Sequence, residues 1–150
     1  MRALVLTTLM LVGCSESQPC RNCPSVQGTY AMTWADAGGL TDGDGGVVTG
    51  TCTFEGPRPA TLTLTHKDSN VTTVIDDAPI GGTLYDTYDL ALSGGGDGVT
   101  YKLRALSIPE GGGSDAGMSL RGSLTSGRVD SASGEYCETS DSFTAQRISR

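Results

Sequence analysis

Residues 60–75 are ATLTLTHKDSNVTTVI, and they contain the clearest structural pattern in the chain. Leu62 and Leu64 alternate with threonines, which is the period of a strand with one buried face. Lys67–Asn70 has the composition of a tight turn, and Val71–Ile75 is again rich in β-branched residues. This stretch therefore predicts an antiparallel β-hairpin.

The same alternation recurs along the rest of the chain, between turn signals rich in glycine, aspartate and serine. The runs cover residues 28–34, 48–54, 84–92, 99–105, 118–124, 129–137 and 143–145. The 22 glycines oppose a helical fold, since each costs about 1 kcal/mol inside a helix relative to alanine. We predict an all-β domain, a small antiparallel meander β-barrel of about eight strands, with a β-sandwich as the alternative.

A short repeat adds detail to this prediction. Three segments share the pattern apolar-x-Gly-Ser/Thr-apolar, namely Val48–Cys52, Ile80–Leu84 and Leu120–Leu124. Glycine inside a strand often marks a bend or a close approach of two backbones, and closing a sheet requires such bends. In this pattern the body resembles small lipocalin-like barrels, which implies a filled interior or room for one small ligand. The aromatic residues that could line such a cavity, or pack in a core, are Tyr30, Trp34, Tyr85, Tyr88, Tyr101 and Tyr136.

The first residues of the chain have the features of an export signal. Arg2 precedes the apolar run Ala3–Val12, as in secretory signals. As a helix this run is about 15 Å long, half of a ~30 Å hydrocarbon core, so it is too short for a permanent span. It ends in Leu11-Val12-Gly13-Cys14, which resembles the lipobox of bacterial lipoproteins.

The lipobox resemblance implies a location. Residues 1–13 would be removed and the thiol of Cys14 acylated, and two or three acyl chains anchor stably at about 0.8 kcal/mol per buried CH₂. Ser15, rather than an aspartate, implies sorting to the outer membrane. We expect a lipid-anchored protein of the cell envelope, with residues 14–27 as a short tether and residues 28–150 as the barrel.

The other four cysteines suggest disulfides. An even number in an exported chain predicts two bonds among Cys20, Cys23, Cys52 and Cys137. A Cys20–Cys23 bond closes a very small loop, whereas crossed pairings with Cys52 and Cys137 close long loops worth ~3–5 kcal/mol each. We expect the crossed pairing, with the partners left open. A redox CxxC or a four-thiolate zinc site fits less well, because no βαβ pattern surrounds the pair and no second close pair exists.

Motifs for catalysis or metal binding are weak. Asp42 and Asp44 lie in a glycine-rich loop, but Thr53 occupies the position where a calcium-binding EF-hand needs glutamate. His66 is the only histidine, and no G-x-S-x-G motif accompanies it, so we interpret it as a residue flanking a turn. Asp76-Asp77 is likewise interpreted as a turn.

Charge and motifs together favour a binding or structural role. With a net charge of −7 the chain repels phosphate backbones, so nucleic acid is not an expected partner. We expect a non-enzymatic envelope module without metal or cofactor, whose partners are the membrane and either a small apolar ligand or an envelope protein. One alternative is a surface protein that binds or inhibits another protein through its loops. A weaker alternative is a hydrolase that uses dispersed carboxylates such as Asp86 and Asp89.

Overall fold

The computed structural model of the chain describes residues 17–35, 54–110, 117–131 and 134–150. Eight antiparallel strands follow one another in chain order and close into a barrel, with β8 pairing back to β1. The predicted meander barrel is confirmed, and the sandwich alternative is wrong. Within these ranges no helix is long and apolar enough to cross a membrane. The strands are β1 Gly28–Trp34, β2 Thr61–Lys67, β3 Asn70–Ile75, β4 Ala78–Leu84, β5 Asp89–Gly96, β6 Val99–Glu110, β7 Gly117–Val129 and β8 Tyr136–Ser149.

The hairpin predicted from residues 60–75 is present as β2 and β3. Lys67 pairs with Asn70 and His66 with Val71, and Asp68 turns the chain with a φ of 59°. Aspartate tolerates this left-handed conformation better than most residues, because its short side chain can hydrogen-bond locally. Local sequence therefore sets the register of this pair.

Two tight turns lie at the other end of the barrel. Asp76 and Asp77 both have positive φ, as do Asp97 and Gly98, which is the signature of two-residue hairpins matched to strand twist. The predicted turn at Asp76-Asp77 is confirmed. The glycine-rich stretch between the predicted runs 84–92 and 99–105 forms only a two-residue turn, since β5 continues to Gly96 and pairs with β6.

Residues 84–92 do not form the single run that their apolar spacing predicted. The chain turns between β4 and β5, and Tyr88 adopts a φ of 63°. The sequence Tyr-Asp-Thr-Tyr contains Asp86 as its only common turn-forming residue, so the turn signal is weak. The run predicted over 48–54 lies outside the described residues except for Phe54, which is not in a strand.

The interior of the barrel is filled by side chains. Inward-facing residues of all eight strands are buried and form one hydrophobic cluster. The largest of them that are almost fully buried are Tyr30, Leu62, Leu64, Ile75, Leu84, Leu90, Leu103, Leu120 and Leu124. Burial of such side chains is worth roughly 1.5–3 kcal/mol each, so this cluster is the main source of stability.

Two glycines of the sequence repeat mark close approaches between strands. A Cβ on Gly82 would overlap the carbonyl of Ala91, and one on Gly122 would overlap the carbonyl of Arg104. The expectation that these positions permit close backbone contact is confirmed for both. The third copy of the repeat, Val48–Cys52, lies outside the described residues.

The barrel has two distinct ends. We call the end at which β1 begins the proximal end, where the β2–β3 and β4–β5 turns lie and where β8 finishes. The opposite, distal end carries the β3–β4, β5–β6 and β7–β8 connections. Residues 17–27 lie at the proximal end, and residues 54–60 lead into β2 at the distal end.

Candidate functional site

Residues 17–27, expected to serve as a tether, are packed on the proximal end of the barrel. The Cys20 N–H donates to the Leu84 carbonyl at 2.9 Å, and the Asp86 N–H donates to the Gln18 carbonyl at 2.9 Å. These bonds attach the segment to the end of β4 and the turn that follows it. The segment is therefore part of the folded domain.

The second half of this segment enters the mouth of the barrel. Val26 is fully buried, its carbonyl accepts a hydrogen bond from the Tyr30 hydroxyl at 2.7 Å, and its N–H donates to Nδ1 of His66 at 3.3 Å. Arg147 adds a hydrogen bond from its guanidinium to the Ser25 carbonyl at 3.1 Å. The proximal mouth is thus closed by the chain itself.

The polar side chains that contact this closure are Tyr30, which is fully buried, and His66, which is half-buried. Burial raises the pKa of Tyr30 to about 12, against the opposing charge and hydrogen bond of Arg147. Nδ1 of His66 accepts a bond, so the proton of the neutral ring is on Nε2, which is buried and has no partner among the described residues. His66 does flank the predicted turn, and it also holds the segment in place.

The disulfide pairing differs from the expected crossed arrangement. Cys20 and Cys23 are bonded to each other, with their Cα atoms 5.8 Å apart. The crossed pairing is therefore wrong for these two residues. Burial of Cys20 and Val26, together with the backbone hydrogen bonds, attaches the segment to the barrel where long-range disulfides were expected to do so.

Cys137 also forms a disulfide, and its partner lies outside the described residues. Cys137 is buried near the start of β8, where it pairs in register with Arg128. Cys14 and Cys52 both lie outside the described ranges. The predicted acylation of Cys14 and the predicted bonding of Cys52 therefore stay predictions.

The distal mouth is covered by the residues that precede β2. The Trp34 indole N–H donates to the Pro59 carbonyl at 3.0 Å, and Arg58 forms an ion pair with Asp141 at 2.5 Å. The Arg128 guanidinium stacks 4.7 Å from the centre of the Phe54 ring. Much of this covering is exposed, in contrast to the buried proximal closure.

The six aromatic residues considered for a ligand cavity do not meet in one. Tyr30 and Tyr101 are buried in the core, and Trp34 packs edge-on against Phe143 with ring centres 5.5 Å apart. Burial, and then the negative charge of Asp76, raise the pKa of Tyr101. The other three, at positions 85, 88 and 136, lie near the surface, and two of them are exposed.

The carboxylates considered for hydrolysis lie on the surface at the β4–β5 turn. Asp86 is exposed and accepts a hydrogen bond from the Gln18 N–H at 3.3 Å, while Asp89 accepts one from the Thr87 hydroxyl at 2.7 Å. Among the described residues, neither shares a cleft with a second carboxylate. Among the described residues no three His, Cys, Asp or Glu side chains group to hold a metal, and Asp42 and Asp44 lie outside those residues.

The outer face of β6 and β7 near the proximal end combines exposed apolar and basic side chains. Leu106 is 44 % exposed and Ile108 38 % exposed, and they point outward two residues apart on β6. Arg121 on β7 pairs in register with Leu106, and Arg104 precedes Leu106 on the same face. We call Arg104, Leu106, Ile108 and Arg121 the proximal patch. Neither arginine forms an ion pair within the described residues.

The proximal patch is flanked by two surface depressions. A groove of about 240 Å³ is lined by Ile108 and Arg121 together with polar residues of β1 and β8. A wider crevice of about 720 Å³ separates the start of the N-terminal segment, at Ser17, from Arg104 and Asp89. The N-terminal segment therefore enters the structure beside this patch.

Charge is unevenly divided between the ends of the barrel. Among the described side chains, the proximal half carries six basic and four acidic residues: Arg21, Lys67, Arg104, Arg121, Arg147 and Arg150 against Asp68, Asp86, Asp89 and Glu110. The distal half carries three basic and eight acidic residues: Arg58, Lys102 and Arg128 against Glu55, Asp76, Asp77, Asp97, Asp130, Glu135, Glu138 and Asp141. The negative charge of the described chain is thus concentrated at the distal end.

Comparison with known proteins gives no match to a family model, to a curated sequence or to a solved structure.

Proposed function

We propose that the chain is a lipid-anchored protein of the cell envelope, held on the outer membrane through Cys14, and that it acts as a non-enzymatic binding module through its outer surface. The observation that carries the proposal is the closure of a filled barrel at both mouths by residues 17–27 and 54–60. A filled and covered barrel has its accessible groups on the outside. This favours an envelope protein or a membrane as partner over a small apolar ligand held in the interior.

The lipid anchor is supported by two features of the N-terminal region. The lipobox-like residues 11–14 follow a short apolar run, and Ser17 already belongs to the folded domain. Three residues span at most about 11 Å, so an acylated Cys14 would hold the domain close to the bilayer surface. On this proposal the protein is attached to the membrane with very little intervening chain.

The proposed acylation of Cys14 also indicates a disulfide partner for Cys137. If Cys14 carries lipid, Cys52 is the remaining cysteine. Cys52 is two residues from Phe54, whose ring contacts Arg128, and Arg128 pairs in register with Cys137. Two residues span about 7 Å, which is compatible with a bond between Cys52 and Cys137.

A cell-fractionation experiment tests the proposal. The wild-type chain is expected in the membrane fraction and released only by detergent, whereas Cys14→Ser is expected to remain uncut and unacylated. A Cys20→Ser/Cys23→Ser variant is the matched control, because it also loses thiols near the N-terminus and should keep its acyl chains. Equal acylation and cleavage of the wild type and Cys14→Ser would contradict the proposal.

A more specific candidate function is binding or inhibition of another protein through the distal turns. The concentration of acidic side chains at the distal end favours it, because an acidic face attracts a basic partner surface. A photo-crosslinking residue in place of Asp97 is expected to give one defined protein adduct in cells, and one in place of Asp68, on a proximal turn, none. Equal labelling from both positions would contradict a distal binding face.

A further inference from the structure

We propose that the proximal patch lies on the membrane, so that the barrel is held in one orientation with its acidic distal end pointing away from the lipid. The proposed occupant of the patch is an anionic lipid surface that offers phosphate groups. This inference rests on the proposed anchoring through Cys14 and adds to it a defined docking surface and orientation.

The first step is that the proposed anchoring point, Cys14, is close in sequence to a residue that lies across a crevice from the patch. Ser17 lines the crevice beside Arg104, and Cys14 is three residues before it, a span of at most about 11 Å. Leu106 and Ile108 follow Arg104 at intervals of about 7 Å along the strand. Arg104, across the crevice from Ser17, is thus the part of the patch nearest to the proposed anchoring point.

The second step is that the attachment is fixed. A flexible tether would let the barrel turn freely above the bilayer. Here the Gln18 carbonyl and the Cys20 N–H are hydrogen-bonded to the β4–β5 region, and Val26 is buried in the mouth. The chain consequently leaves the barrel at the β4–β5 turn, across the crevice from Arg104, and that side is the one brought toward the membrane.

The third step is the chemistry of the patch. Leu106 and Ile108 expose apolar surface that can enter the headgroup region, and Tyr88, 40 % exposed at the neighbouring turn, belongs to a residue type enriched at membrane interfaces. Arg104 and Arg121 have no carboxylate partner among the described residues and are available to lipid phosphates. Two acidic residues lie on the same outer face. Glu110 accepts a hydrogen bond from Gln146 at 2.8 Å, and Asp89, which pairs in register with Leu106, accepts one from the Thr87 hydroxyl.

The fourth step is the charge of the whole barrel. An anionic surface attracts the proximal half, where basic side chains outnumber acidic ones among the described residues, and repels the strongly acidic distal half. Attraction of the proximal half and repulsion of the distal half therefore favour the same orientation as the attachment through Cys14. A basic partner protein would instead be drawn to the distal end.

Depth-dependent quenching of a fluorescent label tests the orientation. The acylated protein is purified from membranes and its mass is checked. It is then placed in vesicles of phosphatidylethanolamine and phosphatidylglycerol that contain a lipid with a nitroxide quencher near the headgroup. Ile108→Cys and Val129→Cys carry the same label, and they are matched because both replace exposed apolar strand residues at opposite ends of the barrel. The label at position 108 is expected to be strongly quenched, and the label at 129 is expected to keep its emission.

Charge reversal tests the contribution of the arginines. Arg104→Glu/Arg121→Glu, in the Ile108→Cys background, is expected to reduce quenching toward the level seen at position 129. Each basic residue near an anionic surface changes binding by about fivefold. Lys102→Glu is the control, because it is an exposed residue of the same strand in the distal half and should have a smaller effect.

Each outcome has a defined meaning. Equal quenching at positions 108 and 129 in an acylated protein would overturn the orientation while leaving the proposed anchoring intact. Quenching at neither position would also overturn the inference, because the patch would then not lie on lipid. A purified chain without acyl groups would overturn the proposed function before any vesicle is made.

Discussion

The two ends of the barrel are closed in different ways. At the proximal end a buried valine, a buried tyrosine hydroxyl and backbone hydrogen bonds hold residues 17–27 in the mouth. At the distal end an exposed ion pair and a stacked arginine cover the mouth, and a disulfide from Cys137 joins β8 to a part of the chain outside the described residues. Packing and one local disulfide thus hold the proximal closure, whereas the described contacts that cover the distal mouth are surface contacts.

This difference has a consequence for what each end can do. Residues 17–27 are packed against the core, so the point at which the chain enters the barrel is held in place. The proximal end is therefore suited to fix the barrel relative to an anchor. The distal turns expose acidic side chains, such as those of Asp76, Asp77 and Asp97, which are accessible to a partner.

The long-range disulfide is expected to contribute most to stability. Cys137→Ala opens a loop of more than 80 residues, whichever cysteine is the partner, and should lower the free energy of unfolding by about 4–5 kcal/mol. Removing the proximal pair, as Cys20→Ala/Cys23→Ala, opens only a tiny loop and should cost about 2 kcal/mol. Urea unfolding of both variants measures the difference. A larger loss from the proximal pair would reverse the comparison.

The buried valine of the N-terminal segment is the next most sensitive position. Val26→Asp places a carboxylate in a fully buried site and should cost about 3–4 kcal/mol. Val74→Asp makes the same replacement at a side chain that is 60 % exposed on β3 and should change stability by less than about 0.5 kcal/mol. Thermal and urea unfolding provide the measurement. Two equally small effects would show that residues 17–27 are not part of the core.

Alkaline pH should weaken the proximal closure through Tyr30. Its pKa is raised from 10.0 to about 12 in the folded chain, so its contribution to stability is fully present below pH 10. Roughly 3 kcal/mol should then be lost as the pH rises from about 10 to 12, because the unfolded chain loses this proton more easily.

The comparison for this pH effect is Tyr30→Phe, which cannot titrate. It should start about 1 kcal/mol less stable, since the hydrogen bond to the Val26 carbonyl is lost, and should decline less steeply above pH 10. Unfolding in urea at a series of pH values gives both curves. Parallel curves would contradict the assignment of this alkaline loss to Tyr30.

The distal ion pair should contribute least. Arg58 is 41 % exposed at its side chain, so its interaction with Asp141 is screened by water and salt. Arg58→Ala is therefore expected to cost less than about 1 kcal/mol and to cost even less in high salt. A double-mutant cycle with Asp141→Ala measures the coupling energy. A coupling above about 2 kcal/mol would mean that the distal covering contributes as much to stability as the proximal closure.

Local alternation was sufficient to predict the barrel, and the reasons for its failures are physical. The Leu62/Leu64 pattern and the Asp76-Asp77 turn act through neighbouring residues, so they were visible in the sequence. The turn at Asp86 was missed because its left-handed position is occupied by Tyr88 rather than by glycine or asparagine. The Tyr88 N–H closes it locally by donating to the Tyr85 carbonyl, and the Asp86 N–H also donates to the distant Gln18 carbonyl. No pattern within residues 80–92 records that contact.

The N-terminal segment could not be placed from sequence for a similar reason. Val26 is a single apolar residue among polar ones, and it becomes part of the core only because the end of the barrel offers Tyr30 and His66 as partners. Loop-entropy reasoning favoured the crossed disulfides, but it compares only unfolded chains. Loop entropy does not account for the packing that holds residues 17–27 in the folded chain. In that packed segment Cys20 lies beside Cys23.

The most direct test of the central claim, a lipid-anchored and disulfide-bonded barrel, is the mass of the protein extracted from membranes under denaturing, non-reducing conditions. The expected mass is that of residues 14–150 plus the acyl chains, less four hydrogens because two disulfides have formed. A mass equal to that of the full-length chain without acyl groups would contradict the anchor and, with it, the proposed orientation on the membrane.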